Sequence, residues 1–223
     1  MGEKRRRAAP KRVSSAAYSS LVIGIDEVGR GALAGPVTVA AVAATANAKR
    51  EIRISKFFSG IRDSKKLTSK QRKAWSARLR GETALRWTVA SVSAKTIDRI
   101  GITEAANRAV AAALRKLSVS APDRIPDGFD SAILLDGGLR APAEYGNQQS
   151  IIKGDEKVPL IAAASILAKV YRDQIMALRY HRVFPLYDFK QHKGYGTPAH
   201  LRCIRKHGPC RAHRRSFLTD YIK

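Results

Sequence analysis

The stretch LVIGIDEVGRG, residues 21–31, decides how this sequence is read. Leu21 to Ile25 make an apolar run of the length of a buried strand. The run stops at two adjacent carboxylates, Asp26 and Glu27, and the glycine-flanked arginine of Gly29-Arg30-Gly31 follows at once. An acid at the end of a buried strand is costly unless something positive compensates it. Successive strand side chains point to opposite faces, so this pair shares a site only if the strand ends or bulges at Glu27, which glycines 29 and 31 permit.

The pattern recurs. SAILLD (131–136) is apolar and stops at Asp136, and QSIIKGD (149–155) stops at Asp155. PVTVAAVAA (36–44) and LRWTVASVS (85–93) read as two more strands. Helices are expected over SKQRKAWSARLR (69–80) with Ser69 as N-cap, over TEAANRAVAAALRKL (103–117) with Thr103 as N-cap, and over 159–181 behind Pro159. A last one, PAHLRCIRKHG (198–208), ends at a glycine. This order predicts one α/β domain over 20–180 with a helical C-terminal region over 181–223.

If the three acid-terminated segments are neighbouring strands, Asp26, Glu27, Asp136 and Asp155 converge. Like charges that close raise one another's pKa, and a divalent cation removes the conflict. Hard cations take oxygen ligands, and Mg²⁺ typically uses one or two carboxylates plus substrate phosphate. Two ions ~3.5–4 Å apart form the usual clamp for phosphodiester hydrolysis. Singly, each acid is equally well a turn residue or cap, and Asp136-Gly137 is a common hairpin pair. From spacing, a metal-dependent nuclease and a structural role for each acid stand level.

The charge points to the partner. Lys plus Arg number 42 against 18 Asp plus Glu, a net +24, while 44% hydrophobic content allows a real core. Such an excess selects a polyanion. No apolar run approaches the ~18 residues of a membrane span, so nucleic acid is preferred to a membrane. Cys203 and Cys210 are too few for a disulfide framework. With His207 and His213 they suggest zinc, but the two residues between His207 and Cys210 leave no finger loop; basic-face histidines near nucleic acid are the alternative. Residues 1–19 read as a disordered basic arm, with a mitochondrial-type transit peptide as the minor alternative.

Six blocks, in order, resemble ribonuclease HII: GIDEVGRGALAGPV (24–37), DSKKL (63–67), LLDGG (134–138), the long block 153–173, HKGYGT (192–197) and HGPCRAHRRSF (207–217). The resemblance runs from about Val22 to Phe217. It implies a ribonuclease H-like fold, a five-stranded mixed sheet flanked by helices, with a C-terminal helical region that helps bind substrate. It implies an endonuclease acting on RNA–DNA hybrids and cutting 5′ to single ribonucleotides in duplex DNA, leaving 3′-hydroxyl and 5′-phosphate ends. The acids matching Asp26, Glu27, Asp136 and Asp155 would hold Mn²⁺ or Mg²⁺. Residues matching Gly29, Arg30 and Gly31 would contact the ribose 2′-hydroxyl, largely through backbone, and Tyr195 would pack on the next deoxyribose.

Ser64, Lys65 and Lys66 would meet phosphates. Ser165, Lys169 and Arg172 fall at i, i+4 and i+7, on one helix face, as a phosphate track or a solvated face. Arg211, Arg214 and Arg215 would extend the footprint. A monomer in a bacterial-type cytoplasm is the expected state. Ala32 and Leu160 stand where many members have proline and serine, and neither is a proposed ligand. The GRG turn and the short basic arm argue against the sister family, ribonuclease HIII. The competing functions are a non-catalytic basic nucleic-acid-binding protein and a phosphohydrolase of small phosphoesters.

Overall fold

The structure, a computed structural model, describes residues 21–45, 56–61, 66–119 and 131–221. The basic arm, Ser64 and Lys65 lie outside them. β1 (Leu21–Val28), β2 (Val37–Thr45) and β3 (Leu85–Val92) form an antiparallel meander. β4 (Ser131–Asp136) and β5 (Gln148–Ile151) run parallel to β1, so the sheet is mixed, in the order β3-β2-β1-β4-β5. The expected five-stranded sheet is present.

Helices cover both faces. Ile23 and Ile25 of β1 and Ile133 and Leu135 of β4 pack with α3 (Ile102–Val119), through its Ala106, Val110, Ala113 and Leu117. The alternate residues face α5 (Pro159–Gln174), whose Leu160, Ala163, Ala164 and Leu167 join Ala40 and Val42 of β2. Gly24 lies on that side. A Cβ there would come within 2.4 Å of the Leu160 backbone, so the glycine lets α5 lie directly on the strand. A third cluster, with Leu33, Met176, Tyr187, Phe189 and Ile204, joins the C-terminal residues to the loop after β1.

Several local expectations need correction. Helix α1 (Ser69–Gly81) is capped by Thr68, not Ser69, through a capping box with Gln71. Thr103 does not cap α3 but lies inside it, because Ile102 already has helical geometry after Gly101. Helix α2 (Ala94–Ile100), capped by Ser93, was not expected; its seven residues are too few to show a period. The predicted 159–181 helix continues past α5 as a π turn, Ile175–Tyr180, and α6 (His181–Val183). After α7 (Phe189–His192), α8 (Pro198–His207) matches its forecast, with Gly208 at φ 70° closing it.

Two corrections concern the acids. β1 neither ends nor bulges at Glu27: Asp26, Glu27 and Val28 pair in regular register with Ala40, Val39 and Thr38, because β2 offers a partner to each. Asp155 is not at a strand end. β5 stops at Ile151, and Asp155 sits in the short helix α4 (Gly154–Lys157), entered through Lys153 in the left-handed conformation at φ 54°.

Candidate active site

Regular pairing sorts the acids by face. Asp26 and Asp136 both follow core residues of the α3 face, Ile25 and Leu135, so both turn towards α5. Asp155 reaches the same place from α4. One carboxylate oxygen from each of the three lies within 4.8 Å of the others. The cluster is held by donors: Glu27 N–H donates to Asp26 Oδ1 at 2.7 Å, Gly154 N–H to Asp136 Oδ1 at 2.7 Å, and the Ser165 hydroxyl to Asp26. A Cβ on Gly154 would lie 2.7 Å from the Ile161 side chain of α5 and 3.3 Å from Asp136 Oδ1 of β4, so a larger residue here would crowd the Asp136 carboxylate.

The electrostatics fit a cation. Burial raises the Asp26 pKa well above the carboxylate range, and the charges of Glu27 and Asp136 raise it further. Glu27 lies on the opposite face and outside the 4.8 Å group. Burial and Asp136 also raise its pKa, while Arg30 opposes the rise at 3.3 Å from Oε1. Its second oxygen, Oε2, is buried without a hydrogen-bond partner, an acceptor suited to a ligand. An all-oxygen set of close, buried carboxylates suits a hard divalent cation.

The adjoining turn is fixed from beneath by two arginines. Arg214 is fully buried; its Nε donates to Gly35 O at 3.0 Å, Nη1 to Arg30 O at 2.8 Å and Nη2 to Gly29 O at 2.7 Å. Burial, and then the charge of Arg172, pulls its pKa down to about 9. Arg172 donates to Pro36 O, Lys193 O and Ala34 O at 2.9–3.0 Å. Gly29 has φ 89°, and a Cβ there would fall 2.2 Å from Arg172 Nε. With its carbonyls held inwards, the turn leaves Gly31 exposed, where a Cβ would meet nothing within 4 Å. Arg30 spans from Glu27 to Thr103 Oγ1, which accepts from Nη2 at 3.1 Å.

The phosphate-track expectation therefore needs correction. Ser165 and Arg172 are buried and Arg214 is buried, so none of the three lies on a solvent face; Arg211 and Arg215 are exposed. A buried guanidinium needs acceptors for its N–H groups; the 29–36 segment gives three carbonyls to Arg214 and two to Arg172, and Lys193 gives Arg172 a third, which helix spacing alone could not reveal. Lys169 stays partly exposed, paired with Asp173 at 3.0 Å, and its Nζ lies 5.3 Å from the Tyr195 ring centroid. That ring borders a cleft of about 620 Å³, lined also by Arg72, Lys73, Lys190 and Lys193. Lys66 is exposed and pairs with Glu156 at 3.1 Å.

Three histidines differ from expectation, whereas His207 is exposed beside Arg205 and Lys206. His192, His200 and His213 are buried together and are not on a basic face. Burial lowers the pKa of His200 and of His213 to about 4, so both are neutral at pH 7. Both ring nitrogens of His213 are engaged, by Cys210 and by His200, which removes it from any zinc set. Among the described residues, the acidic triad is the sole group of three or more His, Cys, Asp or Glu side chains spaced for a metal.

A family model described as ribonuclease HII matches residues 23–220. The chain belongs to the ribonuclease HII family. Relatives named ribonuclease HII include one from Chlamydia abortus, 44% identical over 89% of this chain and 84% of its own, and one from Bordetella pertussis, 43% identical over 89% of each. Among solved structures, the RNase HII complexed with PCNA in Archaeoglobus fulgidus superposes with a TM-score of 0.67 at 28% identity, covering 87% of this chain and 94% of that one. Bst-RNase HIII in complex with Mn²⁺ superposes at 0.65 with 20% identity, over 90% of this chain and 68% of that one, and shows the shared fold. The expected ribonuclease H-like fold is borne out. As a ribonuclease HII family member, the chain is an endonucleolytic hydrolase of the ribonuclease H type 2 class. No helix among the described residues is long and apolar enough to cross a membrane.

Proposed function

We propose that this ribonuclease cuts RNA in RNA–DNA hybrids and incises 5′ to single ribonucleotides in duplex DNA, leaving 3′-hydroxyl and 5′-phosphate ends. Asp26, Asp136 and Asp155 would hold Mn²⁺ or Mg²⁺. Glu27, a regular strand residue outside the triad but near enough for Asp136 to raise its pKa, would add its unpartnered Oε2 from the edge of the cluster without a bulge in β1. A bound ion would supply charge stabilisation at the scissile phosphate and lower the pKa of a bound water. The chain's own residues do the rest. Ser165 and the amides of Glu27 and Gly154 orient the carboxylates. Arg214 and Arg172 shape the Gly29-Arg30-Gly31 turn so that its outer backbone can approach a 2′-hydroxyl, the group that separates RNA from DNA. Tyr195 would pack on the following deoxyribose, with Lys66 and Lys169 near phosphates. Residues 181–223 would form the substrate-binding region beside a catalytic domain over 20–180, and the enzyme would act as a cytoplasmic monomer.

The observation that carries this reading is the triad beside a turn held from below by Arg214. The test is a DNA duplex with one ribonucleotide, incubated with Mn²⁺ or Mg²⁺. Wild type should nick it, and Asp26→Asn and Asp136→Asn should lose at least about 100-fold in rate. Tight wild-type binding without a nick would instead favour the non-catalytic binding protein.

A further inference from the structure

The buried histidines form a directed chain. Cys210 N–H donates to His213 Nδ1 at 3.0 Å, which makes that nitrogen an acceptor. A neutral His213 therefore carries its proton on Nε2, which faces His200 Nε2 at 3.0 Å. His200 Nε2 must then accept, leaving its proton on Nδ1, and Nδ1 lies 2.9 Å from the Tyr195 carbonyl. Every atom in this chain has one compatible role, and a proton added to either ring would set two N–H groups against each other. His200 is fully buried, stacked on His192 at 4.1 Å between centroids and flanked by Phe189 at 5.5 Å. Burial keeps both rings neutral.

The chain ends on the backbone of Tyr195. His192 holds the same loop, since its carbonyl accepts from Tyr195 N–H at 3.0 Å and its Nδ1 accepts from Gly194 N–H at 3.2 Å. The Tyr195 ring itself lies in the cleft, 5.3 Å from Lys169 Nζ and 5.2 Å from Arg172 Cζ, and these non-directional cation contacts leave its backbone to set its position. Its placement over a sugar would depend on its backbone.

We propose that His200 and His213 are positioning residues that set Tyr195, and thereby tune the preference for an RNA–DNA junction over a uniform hybrid. This rests on the reading of Tyr195 as the residue that packs on deoxyribose. A misplacement of the order of an ångström can cost up to about 100-fold in rate.

Two measurements test it. Nitrogen-15 NMR of the wild-type protein at pH 7 should find neutral rings, with His200 protonated on Nδ1 and His213 on Nε2; the opposite tautomer at His200, or a charged ring, overturns the proposal. Kinetics then compare Tyr195→Ala, His200→Leu and His200→Asn on junction and hybrid substrates. Asn can present an N–H where Nδ1 stood, and Leu cannot. His200→Leu should lower the junction-to-hybrid ratio about tenfold, mainly in kcat at the junction, and His200→Asn should recover part of it. A wild-type ratio in His200→Leu while Tyr195→Ala loses it overturns the positioning role alone. An unchanged ratio in Tyr195→Ala overturns the Tyr195 reading and the inference with it.

Discussion

Asp26 shows how one residue trades stability for chemistry. Its folded pKa is raised above its unfolded value, so the folded state binds the proton more tightly, and stability falls as pH rises through the window above the usual 3.8. At neutral pH without metal, the ionised carboxylate is a net cost. Asp26→Asn should therefore raise the Tm of metal-free protein by about 2–4 °C while abolishing cleavage. Mn²⁺ should raise the wild-type Tm and leave the variant nearly unmoved, which thermal melts with and without chelator will check. Gly29 makes the opposite case. A methyl group there meets Arg172 at 2.2 Å on a backbone at φ 89°, so Gly29→Ala should lose several degrees of Tm as well as activity.

At the level of elements, β1 and the C-terminal helices show what a sequence discloses. The apolar runs of β1, β2, β3 and β4 were legible because buried strands carry few alternatives. The position of Asp155 was not, since the left-handed Lys153 that ends the β5 region and starts α4 has no residue signature. Asp26 and Asp136 were legible as strand-end acids, whereas the burial of Arg172 and Arg214 was not. Apart from Lys193 O, the carbonyls their guanidinium groups bond lie 136 to 185 positions away, and such partners carry no sequence signal. The histidine core was equally hidden, and it has a pH consequence. His200 and His213 fall from 6.5 to about 4 on folding, so the unfolded chain binds more protons between those values. Their contribution is complete above pH 6.5 and is lost as pH falls towards 4. Asp26 and Glu27 titrate in the opposite sense, so the Asp26→Asn background removes one opposing carboxylate, and the difference between that background and its His200→Asn derivative reads the histidine share. There, Tm should drop by about 3–8 °C between pH 7 and pH 5, and His200→Asn should flatten that slope.

For the whole molecule, the +24 charge sets binding rather than fold. Affinity for a hybrid duplex should fall steeply with salt, with a slope near −0.9 for each phosphate neutralised. Residues 1–15 carry six Lys and Arg, and a chain starting at Ala16 should show a shallower slope in fluorescence anisotropy, at unchanged kcat on a single ribonucleotide. An unchanged slope would remove the arm from the footprint.

In the proposed function the turn beside the acids admits a 2′-hydroxyl to its backbone, and Gly31 is the residue at which this can be probed without disturbing the fold. Among the described residues, no atom beyond its chain neighbours lies within 4 Å of a Cβ at this position, so Gly31→Ala should melt within about 1 °C of wild type. On a duplex with one ribonucleotide, its single-turnover incision rate should fall at least about tenfold, because the methyl group occupies space the ribose needs. Wild-type incision by Gly31→Ala would show that the ribose does not approach this turn.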